Sequence, residues 1–290
     1  MGLPTNTAES LWLYRWPAPA KLNLMLRIIG RREDGYHLLQ TVFQFVELSD
    51  WIRFEPEQSG QVLLKKEIPG VAAQSDLTVR AATILKRYTG CSSGVIIDVE
   101  KNIPMGGGLG GGSSDAATVL VVLNKLWGLE LSQEKLMELG IELGADVPIF
   151  IYGHASWAEG VGEMLTKVSL PECWVVIIKP DCHVNTKEIF CSEYLTRNSK
   201  SITMCDFIAG IQDNDCMPVV TNRYPIVKDA MSDLSAYTRP KLTGTGACVF
   251  GEFLSEYEAR IAHELLGKKW TVFLTKSVNN SGLSSLLDAI

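Results

Sequence analysis

The sequence predicts an α+β fold, on three observations. Strand-like and helix-like segments follow one another without the strict alternation of a doubly wound sheet. Two strand-like runs near the N-terminus are joined by a short polar loop, which makes a hairpin or meander rather than a crossover. The 290 residues exceed the usual size of one compact core, so one large or two modest domains are expected. Hydrophobic residues make up 46% and charged residues 21%, which excludes disordered and collagen-like chains. Lys and Arg number 27 against 33 Asp and Glu, a formal charge of −6. Such a chain has no overall field for a nucleic-acid backbone or an anionic membrane. No apolar run approaches a membrane span, and Met1 to Thr7 has no basic start followed by an apolar stretch. Thr7 also lies one place past the myristoylation pattern that Gly2 would open. The seven cysteines are odd in number and contain no Cys-x-x-Cys pair, which reads as reduced thiols. A soluble cytoplasmic protein without nucleic-acid or membrane partners is expected, and its oligomeric state is open.

From Lys21 to Ile29 the apolar residues alternate, with Leu22, Leu24, Leu26 and Ile28 on one face and Lys21, Asn23, Met25 and Arg27 on the other. That period of two predicts a half-buried strand. The polar loop Gly30 to His37 leads to a second strand over Leu38 to Leu48, rich in Val, Phe and Thr. Leu77 to Tyr88 has helical spacing, and the β-branched run Val95 to Val99 predicts a short strand. A helix from Ser114 to about Trp127 is apolar nearly all round and belongs at the centre of the protein. Ser132 caps a further helix bearing Leu136, Leu139 and Leu143, which Gly144 stops. Ile149 to Tyr152 and Val175 to Lys179 read as strands. Helices are expected near 186–195, 203–211 and 225–236, then a glycine-rich turn at 243–246, a strand over Ala247 to Phe253 and a helix at 255–266.

Six of the seven residues from Gly106 to Gly112 are glycine, placed between a strand and the buried helix. Each glycine costs roughly 0.5–1 kcal/mol of extra backbone entropy relative to alanine, so a dense run implies a task for bare backbone. The task that fits is anion binding, with unhindered N–H groups wrapping phosphate oxygens and the helix aiming its positive end at them. Ser113 and Ser114 add hydroxyls that can cap the helix, meet phosphate or reach a metal ion. Gly107 to Ser113 resembles a Walker loop, but Ser113 stands where its lysine belongs. Gly106, Gly108 and Gly111 satisfy the G-x-G-x-x-G pattern of dinucleotide folds, with Glu130 roughly 20 residues on. That fold also wants βα units around the loop, and the N-terminal hairpin does not supply them.

Asp146 lies in Gly144-Ala145-Asp146-Val147-Pro148, a turn joining a helix to the expected strand at 149. Read alone, its carboxylate has an ordinary role in satisfying backbone N–H groups of the turn. Lys21 alone is an ordinary solvated lysine, and His37 alone a surface-loop histidine.

Together the segments resemble one family. Pro19-Ala20-Lys21-Leu22-Asn23, then Gly30-Arg31-Arg32-x-Asp34-Gly35-Tyr36-His37, the glycine cluster with Ser113-Ser114, Gly144-Ala145-Asp146-Val147-Pro148 and Leu242-Thr243-Gly244-Thr245-Gly246-Ala247 occur in the order seen in GHMP small-molecule kinases. The resemblance implies two domains, expected at 1–165 and 166–290, with ATP and substrate in the cleft between them. It implies transfer of the ATP γ-phosphoryl to an alcohol, with Mg2+ expected beside the phosphates. Carried over by residue, Asp146 is the general base and Lys21 its partner. Pro104, Met105, Gly106, Gly107, Gly108, Leu109, Gly110, Gly111, Gly112, Ser113 and Ser114 cradle ATP. Asn23 lies beside the acceptor, Tyr36 and His37 hold a cytosine end, and Phe190 faces the cytosine from the other domain. Metal ligands are not assigned. A kinase of the same family for mevalonate, phosphomevalonate or homoserine, a dinucleotide oxidoreductase and a non-catalytic nucleotide sensor or nucleic-acid-binding module are the alternatives.

Overall fold

The computed structural model describes residues 8–33, 35–68 and 70–290. Met1 to Thr7 and Asp34, which figured in the sequence reading, lie outside the described residues. The first half of the chain runs α1 (Ala8–Leu11), β1 (Trp16–Arg31), β2 (His37–Glu57), β3 (Val62–Leu64), α2 (Leu77–Thr89), β4 (Gly94–Glu100), α3 (Gly111–Leu126), α4 (Gln133–Ile141) and α5 (Val147–Tyr152). It continues with β5 (Ser156–Glu159), β6 (Met164–Lys167), β7 (Trp174–Lys179), α6 (Thr186–Cys191), α7 (Met204–Ile208), α8 (Met217–Arg223) and α9 (Pro225–Leu234). The last elements are β8 (Lys241–Leu242), β9 (Val249–Phe253), α10 (Glu256–Leu266), β10 (Thr271–Val278) and α11 (Gly282–Ala289). This is the α+β arrangement that the sequence predicts.

Among the described residues ten strands join in one sheet, with a main path β3-β4-β2-β10-β7-β9-β8. The predicted hairpin is β1 against β2, antiparallel, and both strands are longer than their sequence patterns suggest. Strand β2 is the organiser: it also pairs with β4, β5 and β10. Among the described residues only β3 and β4 run parallel. A dinucleotide fold would need a parallel sheet.

Three buried clusters fill the molecule. One lies between the β1–β2–β4 face and α2 to α5, joined by Leu283 of α11. A second packs β7 and β9 against α6, α8, α9 and α10. The third contains Leu22, Leu24, Val46, Val175 and Phe250 and ties the two halves of the sheet together. Helix α3 is buried along most of its length, as its all-round apolar surface requires.

Four sequence expectations need correction. Strand β1 is covered on both faces, so Lys21, Asn23 and Met25 are buried rather than solvated. Register shifts at Pro19/Lys21 and Asn23/Met25 interrupt simple alternation there, as bulges do. Ile149 to Tyr152 is helix, not strand: α5 opens with Pro148 in its first turn and closes on Gly153 at φ +73°. A short buried apolar run suits either element, and here the flanking Pro and Gly decide. Helix α3 begins at Gly111, three residues before its expected start, so it includes part of the glycine cluster. Helix α4 ends at Ile141 before Gly144, although Ser132 caps it as expected.

Candidate active site

The glycine loop runs from β4 to α3 and is shaped by close packing as well as by any ligand. Gly108, at φ +76°, lies against the turn at 243–246: a Cβ there would fall on the Thr243 carbonyl oxygen. At Gly110, also φ +76°, a Cβ would come within 2.6 Å of the Phe150 ring and 3.2 Å of Lys21 Cε. Neither position admits a side chain. Ala247 N donates to Gly106 O at 3.3 Å and Cys248 N to Gly107 O at 3.1 Å, so the two glycine turns are hydrogen-bonded to each other. The first helical bond of α3 is Ser114 N to Gly110 O. The amides of Gly111 to Ser113 therefore sit at the positive end of a 16-residue helix.

Two cavities meet at this loop. The smaller, about 470 Å³, is lined by every residue from Pro104 to Ser113, with Leu77, Lys101 and Asp115 behind them. The larger, about 880 Å³, is lined by Lys21, Asn23, Tyr36, His37 and Phe190 among others. Gly108, Ser113 and Asp146 line both. Ser114, expected with the loop, lines neither: it is fully buried, and its Oγ has no hydrogen-bond partner among the described residues.

Asp146 occupies the N-cap position of α5, yet its side chain makes no capping hydrogen bond. Its carboxylate instead lies 3.2 Å from Lys21 Nζ, and the Asp146 side chain remains 41% exposed while that of Lys21 is 2% exposed. The ordinary roles of both residues are thereby displaced. A lysine ammonium has three donors, and here two of them have hydrogen-bond acceptors. Asn23 Oδ1 at 2.6 Å is one and Gly108 O at 3.2 Å the other, while Asp146 Oδ2 is held as an ion pair. Asn23 is held in turn, with its Nδ2 donating to Thr41 Oγ1 at 2.9 Å and Thr41 donating to Met25 O. Thr243 Oγ1 accepts from Asn23 N and donates to Gly108 O. Thr41 carries no motif signal in the sequence, and Thr243 lies in a motif that assigns it no role; the part each plays appears only when β1, β2 and the 243–246 turn meet.

At the far end of the larger cavity His37 and Phe190 rings lie 5.2 Å apart, tilted by 32°. Tyr36 beside them is 64% exposed. Burial, then Arg197 and Arg31, hold the His37 pKa below the ordinary histidine value. Among the described residues that line this cavity, Lys21, Arg31, Lys187 and Arg197 face one carboxylate, Asp146. This local positive field contrasts with the chain's net charge of −6.

Behind the smaller cavity, Lys101 bonds both Asp50 and, at 2.6 Å, Asp115. Burial pushes the Asp115 carboxyl up to about 7, against the pull of Lys101. Burial also works against the Lys101 charge, yet Asp115 and Asp50 hold its pKa above the ordinary value. Asp50 accepts from Asn102 N and Ile103 N as well, which pins the start of the glycine loop to β2. The sequence held a signal for this cluster in one acid, Asp115, on an otherwise apolar helix. Among the described residues no three His, Cys, Asp or Glu side chains are grouped to hold a metal ion. No described helix is long and apolar enough to cross a membrane.

Comparison with known proteins accords with this geometry. The model of the GHMP kinases N terminal domain matches residues 76–154, which include the glycine loop and Asp146. The 4-diphosphocytidyl-2-C-methyl-D-erythritol kinase of Methylococcus capsulatus is 54% identical over 275 residues, 94% of each chain. The kinase of the same name from Nitrosococcus oceani is 50% identical over 94% of this chain and 98% of its own. A crystal structure of 4-(cytidine 5'-diphospho)-2C-methyl-D-erythritol kinase superposes with a TM-score of 0.81 at 32% identity, covering 92% of this chain and all of that one. A homoserine kinase from Cytophaga hutchinsonii, at 16% identity and a TM-score of 0.67, shares the fold. The chain, an ATP-dependent small-molecule kinase by this kinship, belongs to the 4-diphosphocytidyl-2-C-methyl-D-erythritol kinases of the GHMP kinase family.

Proposed function

We propose that the protein transfers the γ-phosphoryl group of ATP to the 2-hydroxyl of 4-diphosphocytidyl-2-C-methyl-D-erythritol, giving the 2-phosphate and ADP. The reaction would serve the non-mevalonate route to isoprenoids in the cytoplasm. The observation that carries this reading is the position of Asp146 on the wall shared by two cavities, 3.2 Å from a buried lysine. ATP occupies the smaller cavity, with its phosphates against Pro104 to Ser113. The acceptor occupies the larger, between the two lobes expected at 1–165 and 166–290. Its diphosphate suits the four cations there, and its cytosine stacks among Tyr36, His37 and Phe190.

Phosphoryl transfer asks a protein mainly to position two reactants and neutralise spreading charge. Loop amides and the α3 N-terminus meet the phosphates. Asp146 accepts the proton of the attacking hydroxyl, which an alcohol does not release unaided at neutral pH. Lys21 cannot swing away, because Asn23 and Gly108 hold two of its three N–H donors, and its charge lies against Asp146 and the acceptor oxygen beside it. Mg2+ fits the hard oxygens of this wall, where Ser113 would hold it together with the nucleotide's own phosphates. When bound, it neutralises phosphate charge.

An acceptor panel with ATP and Mg2+, read by ADP release, tests the reading. The cytidylyl acceptor is expected to exceed mevalonate and homoserine by at least about a hundredfold in kcat/KM. Preference for either of the other two would overturn the substrate assignment.

A further inference from the structure

We propose that Arg197 decides which ring nitrogen of His37 carries its proton, and that this makes the pocket select cytosine over uracil. The inference rests on the larger cavity being the cytidylyl site. Arg197 comes from the irregular stretch after α6, where the sequence gives no motif.

Its guanidinium joins the two sides of the pocket. Nη2 donates to the carbonyls of Phe190 at 2.9 Å and Ser192 at 2.7 Å, and Nη1 to that of Leu195 at 3.2 Å. Nε donates to His37 Nε2 at 3.2 Å. One residue thus fixes Phe190, at the end of α6, and His37, at the start of β2. The pairing also has a chemical consequence. A guanidinium has N–H donors and no acceptor, and it stays protonated at any working pH. His37 Nε2 must therefore offer a lone pair, so the ring is neutral and its single proton sits on Nδ1. The two cations facing His37, Arg197 and Arg31, disfavour the doubly protonated ring, as does burial. Among the described residues nothing is hydrogen-bonded to Nδ1. The nitrogen left for a ligand is a donor.

Cytosine carries an acceptor at N3, whereas uracil carries an N–H there. A fixed Nδ1–H donor meets a lone pair in the first case and another donor in the second. An unmatched pair of donors in a partly buried pocket is a strong basis for rejection. An imidazole with freely exchanging tautomers would discriminate poorly, since it can present either a donor or a lone pair. Arg197 acts through His37 and is a positioning residue, not a catalytic one.

Protein labelled with 15N at histidine reads the tautomer directly, in long-range proton–nitrogen spectra of the ligand-free enzyme assigned with a His37→Asn control. Wild type should show a protonated Nδ1 and an unprotonated Nε2 at His37. In Arg197→Met the ring should move toward the Nε2–H form. The cytidylyl-over-uridylyl ratio of kcat/KM should then fall by about tenfold, through acceptor KM and not ATP KM. Arg197→Lys keeps a donor and should recover part of the ratio. A wild-type ring protonated on Nε2, or an Arg197→Met enzyme with unchanged tautomer and unchanged base preference, overturns the proposal. Wild-type enzyme that turns over neither acceptor would refute the substrate reading and the base preference with it, while the nitrogen spectra still judge the tautomer.

Discussion

Asp146→Asn should leave a folded protein that binds ATP with ordinary affinity and loses about 10²–10⁴-fold in turnover. Asparagine keeps the shape of the side chain and removes its charge together with its ability to take a proton. Lys21 keeps its hydrogen bonds to Asn23 Oδ1 and Gly108 O but loses the carboxylate paired with its buried charge. Because the Lys21 side chain is 2% exposed, losing this partner should lower the melting temperature by a few degrees while the fold persists. Steady-state ADP release, calorimetric ATP titration and thermal melting separate the three effects. Turnover near the wild-type rate would remove Asp146 from the role of base.

Gly108→Ala should be the most damaging small substitution in the glycine loop. The new methyl group would fall on the Thr243 carbonyl and within 3.1 Å of Gly246 O, and φ is +76°. Both obstacles are backbone, so no side chain can turn aside to make room. Strain of this kind costs on the order of 1–3 kcal/mol. The loop would have to move off the 243–246 turn, taking with it the carbonyl that holds Lys21 and Thr243. ATP affinity and turnover should each fall by about tenfold or more, and the melting temperature by a few degrees. Gly128→Ala supplies the control: φ is +62° there too, but nothing lies within 4 Å of the added Cβ. That variant should lose some stability and retain full activity. Equal activities for the two variants would show that the close approach of the turns does not matter.

The parts of the fold legible from the sequence are those whose signal is local. The helices at 77 and 111, the strand at 94 and the strand at 174 carry their own periodicity or β-branched composition. Strands β5, β6 and β8 span two to four residues and exist through pairing with distant partners, so no window reveals them. Strand β10 is hard to see because its two buried side chains, Thr275 and Ser277, are polar, and its place comes from pairing with β2 and β7. Within the site, glycine density pointed to the loop and motif order to Lys21 and Asp146. Burial of Lys21 was not legible, because alternation predicts a face and not what covers it. Lys21 is closed over by Phe43 from β2 and by the glycine loop, both remote in sequence. Arg197 and Thr41 escape for the same reason: their partners are brought to them by tertiary contacts.

In the proposed reaction phosphate is handed across the wall carrying Asp146. A crystal structure with an unhydrolysable ATP analogue and the cytidylyl acceptor tests it most directly. The triphosphate is expected along Pro104 to Ser113, with an acceptor hydroxyl about 3 Å from the Asp146 carboxylate. A nucleotide triphosphate lodged in the larger cavity, with the glycine loop bare, would contradict it.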